Sequence, residues 1–229
     1  GSRWSGGVHE FIEVKHGLEV ARENSCPISM SHPVFYPMYK SLFGITGTIG
    51  SRFEREEIKA IYHIDSFDVP THHPSQRKDA PVAVLATDAQ CNEYYVQVIQ
   101  RCIQAGRPIL VLCHSIKETE ILGEQLKREG VPFEMLNEIQ SKTEQEIINK
   151  AGFPGAVTIA TNTAGRGTDI RLSEESLRNG GLHVLITFYP ESDRVELQAR
   201  GRAGRQGQPG SSEIVISREH LGMDSSQVV

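Results

Sequence analysis

The sequence predicts an α/β protein: a doubly wound, mainly parallel sheet with helices on both faces, preceded by an irregular N-terminal arm. Three observations carry that expectation. From about Pro81 onward, short apolar runs alternate with stretches of helical pattern, the order that builds a parallel sheet covered on both sides. One run, Pro108-Ile-Leu-Val-Leu-Cys113, is continuously apolar, as a strand buried on both faces must be. The chain has 229 residues with 38% hydrophobic content, enough for one sizeable domain with an arm attached.

In chain order, Val8 to Val20 could hold a strand or a short amphipathic helix, and Pro27, Pro33 and Pro37 interrupt the next stretch of chain. Tyr36 to Phe43 reads as a short apolar helix leading into Gly44-Ile-Thr-Gly-Thr-Ile-Gly50. That turn is either a plain loop or a hydroxyl and N–H cluster facing a phosphate. Arg52 to Tyr62 is a charged helix, and the proline-punctuated stretch Asp68 to Ser75 reads as a linker between two bodies. Strands are then expected at Val82–Ala86, Pro108–Cys113, Pro132–Leu136, Ala156–Ala160, Gly181–Thr187 and Glu213–Ile216. Between them fall a helix capped by Asp88 and stopped by Gly106, and a second from Lys117 to Glu129 ended by Gly130. A third spans Thr143–Ala151, a polar loop runs from Thr161 to Asp169, and a last helix begins at Asp193.

Composition narrows the function classes. A net charge of −5 supplies no basic field to draw nucleic acid. The four cysteines show no C-x-x-C pairing and no histidine at metal-ligand spacing, so no metal site is expected and a reducing, cytoplasmic setting fits. His72-His73 lacks zinc-ligand partners, His183 reads as a satisfied core histidine, and Glu54, Glu56 and Glu57 read as a solvated helix face. No apolar run approaches the roughly 18–20 residues of a membrane span.

The stretch with the most chemistry is Glu196-Leu-Gln-Ala-Arg-Gly-Arg-Ala-Gly-Arg-Gln-Gly207. Placed on a helix, Gln198, Arg202 and Arg205 fall at i, i+4 and i+7 and line one face. Gly201 and Gly204 would each cost about 1 kcal/mol inside that helix, which suggests that a backbone or ligand comes close. Arginine's planar fork pairs two phosphate oxygens at once. Ligands of such sheets sit beyond the carboxyl ends of the strands. The loop 161–169 and the arginine helix each come after a strand, so both are expected on one rim. There Gly165 and Gly167 would admit backbone N–H groups to a phosphate, and Asp169 could accept from a ribose hydroxyl. The plain alternatives are a solvated helix end and a tight turn capped by Asp169.

These residues carry a resemblance. Ala160-Thr-Asn-Thr-Ala-Gly-Arg-Gly-Thr-Asp-Ile170, Gly180-Gly-Leu-His183, Gln198–Gly207 and Pro209-Gly-Ser-Ser212 resemble the SecA family, the ATPase motor of bacterial preprotein translocation. Upstream, Arg3-Trp-Ser-Gly-Gly-Val-His9, Gly44-Ile-Thr-Gly-Thr48, Val69-Pro-Thr71 and Arg77-Lys-Asp79 match in the same order. The resemblance implies two RecA-like lobes that clamp ATP and Mg²⁺, and a piece of a longer protein containing the second of them. It divides the chain into 1–67 (tail of the preprotein-binding insertion and of the first lobe), 68–80 (linker), 81–217 (second lobe) and 218–229 (tail). It implies arginine fingers at Arg202 and Arg205, a polar position at Gln198, and a phosphate and ribose loop at Gly165, Arg166, Gly167 and Asp169. Thr46, Gly47 and Thr48 would couple hydrolysis to lobe movement. The implied partners are the first lobe, a polypeptide and a membrane protein channel, with the full-length protein peripheral at a membrane; nucleic acid is not expected. Two departures stand out: Phe188-Tyr-Pro-Glu-Ser192 replaces the family's Glu-Arg-His-Glu-Ser, and Arg218–Asp224 lacks its acidic, Met-rich continuation. No G-x-x-x-x-G-K-[ST] loop is present, so this chain alone is not expected to hydrolyse ATP. The rival readings are a superfamily 2 nucleic-acid helicase lobe and a non-enzymatic RecA-like docking module.

Overall fold

The structure is a computed structural model and describes residues 4, 7–20, 29–136, 144–164 and 169–219. Among the described residues the arm holds three helices: α1 (Val8–Lys15), α2 (His32–Phe35) and α3 (Arg52–Tyr62). None of them buries a residue, and Trp4 is exposed. Of the two readings of Val8–Val20, the helix is the one observed. The helix expected from Tyr36 lies earlier, as α2 followed by a 3₁₀ turn at Tyr36–Met38. Pro33 sits in its first turn, where a missing N–H costs nothing. Helix α3 matches its expected bounds and begins with a reciprocal capping box between Ser51 and Glu54.

The body alternates strands and helices: β1 (Gln76–Asp79), β2 (Ala83–Leu85), α4 (Asp88–Gln104), β3 (Ile109–Cys113), α5 (Ile116–Arg128), β4 (Glu134–Leu136), α6 (Glu144–Lys150), β5 (Val157–Thr161), α7 (Glu174–Arg178), β6 (Leu182–Ile186), α8 (Asp193–Arg200) and β7 (Pro209–Ser217). The sheet runs β1-β7-β6-β3-β5-β4, with β2 also on β7, and every pairing is parallel. Strand β1 pairs with the first half of β7 and β2 with the second, Gln76 opposite Pro209 and Ala83 opposite Val215. Pro81 falls between them, where its missing N–H breaks the ladder. Residues 76–79 belong to the stretch read as linker, and their charged Gln-Arg-Lys-Asp sequence hides an edge strand. Helix α7 is not legible from sequence, because five residues are too few to show a period. Helix α4 is capped by Thr87, whose hydroxyl accepts from the Gln90 N–H at 3.2 Å, and not by Asp88.

Side-chain alternation along the strands divides the core into two layers. Ile109, Val111 and Cys113 of β3 pack with Ile99 of α4 and with Leu122 and Leu126 of α5. Leu110 and Leu112 point the other way, against Ile147 and Ile148 of α6 and Ala199 of α8. Helices therefore cover both faces, which is why β3, β5 and β6 carry no polar face. Among the described residues no helix is long and apolar enough to cross a membrane.

Candidate functional site

Helix α8 starts where the Ser192 hydroxyl accepts from the Val195 N–H at 3.4 Å, and it ends at Arg200 with Gly201 as its cap. Arg202 and Arg205 therefore lie beyond the helix and do not share a helical face with Gln198, which sits half-buried in the last turn. The expected helix fails because the chain turns left-handed: Gly204, Gln206 and Gly207 have φ of 65°, 54° and 75°. Only glycine adopts such angles without strain. Ala203 is buried on the α6/α8 layer and pins this turn to the sheet.

The loop after β5 comes to meet it. The Thr161 hydroxyl accepts from the Ala164 N–H at 3.2 Å. Gly165, Arg166 and Gly167 lie outside the described residues. Ala164, Ile170 and Leu172 flank that gap and pack on the same layer as α8. Arg202 Nη2 donates to the Ala164 carbonyl at 3.5 Å. Arg205 Nη1 pairs with Asp169 Oδ1 at 2.7 Å, and Arg205 Nε donates to the Gly201 carbonyl at 3.0 Å. The two stretches meet at these contacts, with Ala164, Ile170 and Leu172 packed on the same layer as Ala199 and Ala203.

Arg200 carries no distinguishing mark in the sequence, and it is the most buried arginine of the segment. Its Nε donates to Glu196 at 2.7 Å and its Nη1 to Ser212 Oγ at 2.8 Å and to the Ala80 carbonyl at 3.4 Å. Ser212 Oγ donates onward to Asp79 Oδ1 at 2.6 Å, and Arg77 grips both Asp79 oxygens at 2.8 Å. Burial would raise the Asp79 carboxyl, yet the hydrogen bonds from Arg77 and Ser212 hold it below the ordinary carboxylate value. The Glu196 spacing, four residues ahead of Arg200, is the one signal that this arginine is already paired.

The remaining candidates sort simply. His183 is a satisfied core histidine, with Nδ1 at 2.8 Å from Ser211 Oγ and Nε2 at 2.9 Å from Glu213 Oε1. Burial would raise Glu213, but His183 and then Tyr94 hold it below its ordinary value. Burial also pushes the Cys102 thiol up to about 11 and the Cys113 thiol up to about 12, so neither is a nucleophile. Thr46 to Thr48 lie in the irregular stretch before α3, where the Thr48 N–H donates to Thr46 Oγ1 at 3.1 Å. Among the described residues, no group of three or more His, Cys, Asp or Glu side chains is arranged to hold a metal ion.

The fold has relatives among solved structures. The E. coli DEAD-box protein SrmB, solved with the regulator of ribonuclease activity RraA, matches with a TM-score of 0.50 at 21% identity, over 64% of this chain and 80% of that one. The second domain of the DEAD-box helicase Mss116p, solved on an RNA duplex, matches with a TM-score of 0.50 at 18% identity, over 67% and 61%. At such identities the likeness is one of fold, and it defines the class: a RecA-like α/β fold. The model of the SecA P-loop domain family matches residues 74–179 and 173–224. Protein translocase subunit SecA of Desulforapulum autotrophicum is 43% identical over 96% of this chain, and that of Clostridium beijerinckii is 42% identical over 96%. The chain belongs to the SecA family. It spans about a quarter of the length of these relatives, covering 26% and 25% of them.

Proposed function

We propose that this chain is the second nucleotide-binding lobe of a SecA-like motor, with the end of the first lobe in residues 1–67, a linking stretch at 68–80, and a tail beyond 217. It completes an ATP site between lobes and couples hydrolysis to movement of a polypeptide, in a protein that docks on a membrane channel. The observation that carries this reading is the left-handed turn that holds Arg202 and Arg205 beside the loop from Ala164 to Asp169.

The residues suit a nucleotide. Arg205 already grips an anion, the Asp169 carboxylate at 2.7 Å, and a phosphate oxygen makes the same charge-assisted bond. Arg202 and Arg205 act as the arginine fingers, Gln198 supports them from the last helical turn, and Asp169 meets the ribose. Gly165, Arg166 and Gly167 complete the phosphate loop. In phosphoryl transfer, negative charge spreads over the γ-phosphoryl oxygens, and a well-placed arginine contributes roughly a thousandfold or more in rate. When the donors sit on a separate lobe, hydrolysis waits for lobe closure, and closure is the mechanical stroke. Thr46 to Thr48 belong to the first lobe's side of that coupling. Mg²⁺ is held mainly by the other lobe.

The test is the ATPase rate of the full-length protein with Arg202→Ala and Arg205→Ala. A loss of about a hundredfold or more in kcat, with ATP binding largely kept, is expected. An unchanged rate in both variants would remove the fingers from the mechanism.

A further inference from the structure

Strand β1 lies against the arginine turn at several independent points. Gln76 Nε2 donates to the Gly207 carbonyl at 2.7 Å. A Cβ added at Gly204 would stand 2.6 Å from the Arg77 Cβ, and one at Gly207 would stand 2.5 Å from the His73 Cβ. Both glycines are thus required twice over, by their left-handed angles and by the chain that runs past them. His73, Gln76 and Arg77 therefore lie directly against Gly204 and Gly207, with no room for a side chain at either glycine.

A polar relay ties the same strand to the helix on the other side of the turn. Arg77 grips Asp79, Asp79 accepts from Ser212 Oγ, and Ser212 Oγ accepts from Arg200 at the end of α8. The proton order is forced. A guanidinium only donates, so the one hydroxyl proton of Ser212 must point to Asp79. Arg200 is 6% exposed and Ser212 1%, so breaking the relay strands polar groups away from water. The backbone is pinned beside it, where the Ala80 N–H donates to the Ser212 carbonyl at 2.8 Å.

We infer that β1 is a positioning element for the arginine turn: the relay Arg77–Asp79–Ser212–Arg200 and the packing of His73 and Arg77 on Gly207 and Gly204 set where Arg202 and Arg205 stand. The chain that enters β1 comes from the arm. A pull on residues 72–79 therefore shifts the turn, and the arm's position is read out as finger position. Asp79, Ser212 and Arg200 act through the fingers and touch no nucleotide themselves. The inference rests on the finger reading, and it makes a separate structural claim.

Asp79→Asn removes the charge that Arg77 grips while keeping the shape. In the full-length protein kcat is expected to fall about tenfold or more, since misplacement of about 1 Å can cost a hundredfold, while KM for ATP stays within about twofold. In an Arg202→Ala/Arg205→Ala background the same change is expected to cost nothing further, because both groups it positions are gone. A loss that multiplies with that of the double variant overturns the inference. The structural claim is tested in this chain by amide hydrogen exchange. Asp79→Asn and Ser212→Ala should speed exchange at residues 201–207 and leave β3 and β5 unchanged. Unchanged exchange at the turn, or a uniform rise across the sheet, overturns it whatever the ATPase does. If Arg202→Ala and Arg205→Ala both leave the ATPase intact while Asp79→Asn still loosens the turn, the finger reading fails and the positioning of the turn by β1 stands.

Discussion

Arg200, Arg202 and Arg205 carry the same charge within six residues, and packing gives them different tasks. Arg200 is buried on Glu196 and Ser212, so Arg200→Ala takes a charged donor from both and should cost about 2–3 kcal/mol in urea unfolding of this chain. The pair of Arg205 with Asp169 is half exposed, and Asp169→Asn should cost less than about 1 kcal/mol in the same assay. In the full-length protein that change should instead raise KM for ATP, if Asp169 meets the ribose. Glu213 gives a pH prediction. Its folded value lies below the ordinary 4.5, so its stabilising contribution is present above that value and is lost as pH falls through the lower one. The thermal midpoint of the wild type should drop between neutral pH and about 3 by more than that of Glu213→Gln.

At the scale of elements, the turn from Gly201 to Gly207 carries the backbone constraint around Arg202 and Arg205. Gly204→Ala meets both a left-handed angle and the Arg77 side chain, and should destabilise by about 1–3 kcal/mol in urea unfolding. Ser192→Ala removes the cap of α8 and should cost about 1 kcal/mol. Legibility also divides by element. Strand β3 is plain in the sequence because burial on both faces leaves it wholly apolar. Strand β1 is not, because an edge strand of Gln-Arg-Lys-Asp is held by backbone pairing with β7 that composition does not mark. A helix through Arg202 and Arg205 is what spacing alone suggests, and it fails where close approach by residues 73 and 77 requires a turn.

At the scale of the molecule, the two-layered core sets stability. Ile159 is fully buried in the middle of β5, and Ile159→Ala should cost about 2–5 kcal/mol without moving the turn. The purified chain is expected to release no phosphate from ATP above background in a colorimetric assay, because it contains no G-x-x-x-x-G-K-[ST] loop. The sequence by itself determined the alternation of strands and helices, the burial of both faces of the central strands and the residues with phosphate chemistry. Local periodicity and side-chain type are enough for those. Only the tertiary structure decided which arginine is buried and which stay partly exposed, and which residues each of them meets. Those outcomes depend on partners far away in the chain, 36 residues between Asp169 and Arg205 and 133 between Asp79 and Ser212. Such distant partners leave no mark on local spacing, because the sheet brings them together through backbone pairing that nearly any side chain can join.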